Sequence, residues 1–107
     1  MQLAFKLFKQ RKDGSLGPLF INASQRIPIG EWLEAEDHPT KGFANRPGWH
    51  CTKEKRAPHL AKEPASGQKR VWCEVGIKGE VTPFERPWNQ GGTWFIATHM
   101  KVIKIID

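Results

Sequence analysis

Cysteine is scarce in this chain: Cys51 and Cys73 are the only two, far apart in sequence and in no close pair. A small disulfide-held domain needs more bridges than these could form, so the pattern fits free thiols in a reducing compartment. No Cys-x-x-Cys or His-x-x-x-His spacing occurs, which removes the local signature of a structural zinc site. His38, His50, Cys51, His59, Cys73 and His99 supply ligand atoms without that spacing. Adjacent His50 and Cys51 on a strand would point to opposite faces, so no metal and no cofactor is expected. No apolar run approaches membrane-spanning length, and the first ten residues alternate apolar and charged side chains too early for a signal peptide. These absences predict a cytoplasmic protein without a membrane segment. Internal repeats and low-complexity segments are also missing.

The 107 residues suffice for one core, and a single domain over 1–107 is expected. Five Trp and six Phe argue for a folded, aromatic-rich interior, since disordered chains are poor in aromatics. Charge is distributed unevenly. Residues 1–40 and 71–107 are each neutral, whereas 41–70 carry eight cations against two carboxylates. The whole excess of +6 therefore sits in one contiguous segment. Such a block attracts phosphate-rich or acidic partners, although a charged loop that merely keeps the surface solvated has the same composition.

Read in order, Leu3, Phe5 and Leu7 alternate as in a mostly buried strand. Lys12-Asp13-Gly14-Ser15 then signals a turn, and Leu19-Phe20-Ile21 is the expected return strand. Trp32 and Leu33, side by side, fit neither period and leave 30–36 open between helix and strand. Trp49-His50-Cys51-Thr52 reads as a short strand leaving the Arg46-Pro47-Gly48 corner. Arg70 to Val75 is the clearest strand, with Val71, Cys73 and Val75 on one face and Arg70, Trp72 and Glu74 on the other. A hairpin turn is expected at Lys78-Gly79. Thr93 to Ala97 is a strand or a helical turn, and Met100 to Ile106 is a β-branched C-terminal strand. The expected fold is α+β: mostly antiparallel, barrel-like, with a long irregular excursion over 38–69.

Chemistry concentrates between His38 and Cys51, where Pro39, Gly42, Pro47 and Gly48 shape a loop around two His, a Lys and an Arg. For nucleic-acid binding, Lys41, Arg46, Lys53, Lys55, Arg56, Lys69 and Arg70 would neutralise phosphates, and Phe43, Trp49 and Trp72 would offer rings for base stacking. The competing reading is a small metal-free enzyme on a phosphate-containing substrate. There His50 and His38 would exchange protons, Glu74 would orient a histidine, and Lys41 with Arg46 would stabilise developing negative charge. No spacing in the segment defines a catalytic motif, which favours binding.

The run Gly-Glu-Trp-Leu-Glu-Ala-Glu-Asp-His-Pro-Thr-Lys-Gly-Phe, followed by Arg-Pro-Gly-Trp-His-Cys, Arg-Val-Trp-Cys-Glu-Val and Gln-Gly-Gly-Thr-Trp, resembles a family of small uncharacterised bacteriophage and prophage proteins. The resemblance spans nearly the full length and implies a mobile-element origin and a bacterial cytoplasm. It carries over no catalytic residue. It also implies a second kind of partner, an acidic surface on a host machine that handles nucleic acid, which a phage protein of this size would block as a counter-defence inhibitor.

Overall fold

One long hairpin forms the spine of the molecule. Its strands, β5 (Arg70–Glu85) and β6 (Thr93–Ile105), pair from Glu85 opposite Thr93 down to Cys73 opposite Ile105. The computed structural model describes residues 1–19, 24–35, 48–58, 60 and 69–106. Four further strands join the spine: β1 (Gln2–Gln10), β2 (Leu16–Gly17), β3 (Trp32–Glu34) and β4 (Trp49–Thr52). β1 lies along the first half of β5, β4 and β3 pair with successive parts of β6, and β2 returns on the end of β1. Every one of these strand ladders is antiparallel.

No α-helix is present among the described residues, only a 3-10 turn at Trp88–Gln90, so the α+β expectation gives way to a mostly antiparallel β domain. The ambiguous segments resolve to strand because each finds a partner on β6 or β5. The ladders β1–β5–β6–β4 return to β1, but that last seam is a single residue pair, Phe5 opposite Thr52. The arrangement is therefore not a clear barrel. Two side chains supplement the short seam: Thr52 Oγ1 donates to Phe5 O at 3.2 Å, and Lys6 Nζ donates to His50 O at 2.7 Å.

Alternation sorts the strands into two apolar layers. Ala4, Phe8, Trp49, Cys51, Val71, Cys73, Val75, Ile77, Ala97, Met100 and Val102 form the main core. On the opposite sheet face, Leu7, Trp72 and Trp94 form a second cluster with Ala57, flanked by Phe5, Phe84 and Leu60. Fully burying one aliphatic or aromatic side chain contributes about 1.5–3 kcal/mol, so these two layers dominate the favourable side of folding. Cys51 and Cys73 are buried free thiols in the main core.

Two turns differ from expectation. The first hairpin closes earlier: Arg11 N donates to Ser15 O, and Leu16 already pairs with Gln10, while residues 20 and 21 lie outside the described set. Lys78-Gly79 is not a turn but a bulge within β5, where the register shifts between Lys78 and Val81. Gly79 takes φ +81°, which a side chain would strain, and Thr98 occupies the gap. Its hydroxyl accepts from Glu80 N at 3.1 Å and lies 3.4 Å from Lys78 O, so the groups that the extra residue frees from the ladder find a partner.

Candidate functional site

Among the described residues, the basic segment is seen in two stretches, 53–56 and 69–70. Lys53 N donates to Thr93 O at 3.0 Å, fixing 53–56 beside the tip of the β5–β6 hairpin. Lys69 and Arg70 instead enter β5 at its other end, where Lys69 O accepts from Gln10 N and Arg70 pairs with Lys9. His38, Lys41, Phe43 and Arg46 lie outside the described residues.

Two of the expected stacking rings are buried. Trp49 belongs to the main core and its Nε1 donates to Leu33 O at 3.1 Å. Trp72 belongs to the second cluster, covered from outside by Ala57 and Leu60. Its strand face was read correctly, but that face is roofed by the segment after β4. Neither ring can receive a base without unpacking a core layer.

Glu74, the carboxylate expected to orient a histidine, is not adjacent to His50 in the sheet. Glu74 stands opposite Phe5 and Lys104, while His50 stands on β4 opposite Ile96, with β1 between the two strands. The imidazole meets the Phe84 ring edge-on with centroids 6.1 Å apart, and the His50 carbonyl receives Lys6. Lys6 itself is drawn inward. Burial pushes its amine below the ordinary lysine value, opposed by the nearby Cys51 sulfur. The Cys51 thiol is pushed up to about 11 by burial, with Lys6 acting in the other direction. A thiol held protonated is a poor nucleophile. Among the described residues, no three His, Cys, Asp or Glu side chains converge as metal ligands.

The hairpin tip presents the surface that the buried tryptophans do not. Trp88 is 63% exposed, an unusual placement for so large a ring. The Arg56 guanidinium lies 4.1 Å from its ring centroid and Arg56 Nε donates to Trp88 O at 3.4 Å. The support is rigid. Gly91 N donates to Trp88 O at 3.1 Å, Gln90 O accepts from Trp94 Nε1 at 2.8 Å, and Arg86 N donates to Gly92 O at 2.8 Å. Gly91 brings its backbone against Arg56 O and the Trp94 indole, where a Cβ would come within 2.8 Å of both.

Lys53, Glu54, Glu85 and Thr93 line a shallow groove beside Trp88. Arg86 extends the cationic surface over Phe84 and Trp94, with centroid distances of 5.5 and 5.3 Å. Lys53, Lys55, Arg56 and Arg86 outnumber Glu54 and Glu85. Among the described residues, Lys53, Lys55 and Arg56 have no carboxylate at ion-pair distance. The tip therefore combines a supported flat ring with uncompensated positive charge. Sequence reading missed Trp88 and Arg86 because they follow the basic block. The available signal was Arg-Pro-Trp-Asn-Gln-Gly-Gly, a tryptophan on a rigid turn. Comparison with protein-family models, curated proteins and solved structures returned no match.

Proposed function

We propose that this chain is a nucleic-acid-binding protein whose hairpin tip engages single strands. The observation that carries the reading is exposed Trp88 held flat by Arg56 within a net cationic surface. Every base has a π-face, so a supported indole takes an unstacked base regardless of sequence, while Lys53, Lys55 and Arg86 neutralise the flanking phosphates. Duplexes keep their bases stacked and would contact only the cations. Single strands therefore bind more tightly than duplexes of equal length.

The resemblance to phage and prophage proteins adds a setting, a bacterial cytoplasm in which the same tip could instead occupy an acidic surface of a host nucleic-acid-handling machine. Direct binding is the simpler reading, since the tip offers a stacking ring as well as charge.

Fluorescence anisotropy with a labelled 12-nucleotide single strand, across a salt series, tests the proposal. Affinity should fall steeply with salt, and Trp88→Ala should weaken binding by about 1–3 kcal/mol, the usual contribution of one base–aromatic stack. Salt-independent binding, or Trp88→Ala binding as the parent does, would remove it.

A further inference from the structure

A second cationic ring site lies partway along the same hairpin. Trp32 on β3 stands opposite Lys101 on β6, which stands opposite Gly76 on β5. Gly76 has no side chain, and a Cβ there would lie 3.4 Å from the Trp32 ring and 2.5 Å from Met1 Sδ. The indole thus reaches over β5 beside Met1. Onto this ring converge Lys101, with Nζ 4.9 Å from the centroid, and Lys78, with Nζ 4.2 Å away.

The two ammonium groups are thus no more than about 9 Å apart. Among the described residues neither has a carboxylate at ion-pair distance. On the same strands, Glu34 stands opposite His99 and Glu74 opposite Lys104. The indole attracts each ammonium through its quadrupole, yet holding two like charges on one ring leaves their mutual repulsion in place. A phosphate between them relieves it and accepts hydrogen bonds from both.

We infer that Lys78 and Lys101, gathered on Trp32, bind a phosphate of the same single strand whose base stacks on Trp88. The inference rests on the proposed function above. Lys78 precedes Trp88 by ten residues, so at about 3.3 Å per residue the two sites are at most about 33 Å apart. That distance corresponds to roughly ten nucleotides at the ~3.4 Å spacing of a stacked strand. A 12-nucleotide strand, about 41 Å long at that spacing, reaches both sites.

Anisotropy titrations of the 12-mer over a salt series, with Lys78→Gln/Lys101→Gln, Trp88→Ala and a charge-matched Lys12→Gln/Lys104→Gln control, decide the matter. Lys78→Gln/Lys101→Gln should reduce the steepness of log K against log salt by about 0.7, the slope of one phosphate contact of a single strand. The control should leave that slope in place. An unchanged slope in the double variant, with Trp88→Ala still weakening binding, overturns the second site and leaves the tip intact. A slope lost equally in the charge-matched control also overturns it. If no variant alters binding, both readings fall together.

Discussion

Lys6 Nζ donates to the main-chain carbonyl of His50 at 2.7 Å, joining β1 to β4 where the backbone ladder between them is one pair wide. The bond explains why a lysine occupies a position that points among core residues. It adds a cross-strand link of about 1.5–3 kcal/mol, typical of a hydrogen bond to a charged group, beside the one-pair seam.

The Lys6 amine is held below its ordinary value, so the unfolded chain binds more protons than the folded one between the folded pKa and 10.5. Its contribution is fully present above 10.5 and is lost as pH falls through the folded pKa. Lys6→Met removes this dependence. Urea unfolding of both proteins over pH should show the parent gaining on Lys6→Met as pH rises, and parallel curves would refute the assignment.

Cys51 acts with the opposite sign. Its thiol, pushed up to about 11 from an ordinary 9.0, stabilises the fold fully below pH 9, and that stability is lost as pH rises through about 11. The whole effect is on the order of 3 kcal/mol, at 1.36 kcal/mol per unit of pKa. Cys51→Ala should lack the alkaline decline, and native Cys51 should resist thiol reagents at pH 8 until the protein unfolds. Rapid labelling of the native thiol would contradict its burial.

Asp13 accepts hydrogen bonds from the Ser15 hydroxyl and amide and pairs with Arg26 at 3.0 Å, which together hold its carboxyl below the usual carboxylate range. The depressed value means that its support for the first turn is present above the ordinary carboxylate pKa and is lost as pH falls. An NMR titration should show Asp13 as the late-protonating carboxylate of that turn, and Arg26→Ala should move its midpoint upward.

Gly79→Ala should destabilise the fold by about 1–3 kcal/mol. It forces a side chain into φ +81° and against Thr98 Oγ1. Thr98→Val leaves Glu80 N without its acceptor and should cost about 1 kcal/mol. Thermal unfolding measures both, and a neutral Gly79→Ala would show that the bulge is not pinned there.

Local pattern carried much of the sheet. Alternation placed Val71, Cys73 and Val75 on the core face and Trp72 on the other, and the β-branched run after Met100 read as strand. It could not show that β5 continues past Gly76, Gly79 and Pro83, three residues that locally read as breakers. Pairing with β6 sustains the strand there. Pro83 is tolerated because β1 covers only the first half of β5, leaving the second half with no strand partner on that side among the described residues.

Composition and period alone determined a single aromatic-rich domain, its principal strands, two isolated cysteines and a charge excess confined to the middle of the chain. Each of these is a property of neighbouring residues. Tertiary structure decided which tryptophans are core and which is displayed, because burial depends on whether a remote segment covers a strand face: Ala57 and Leu60 cover Trp72, whereas Trp88 is left 63% exposed.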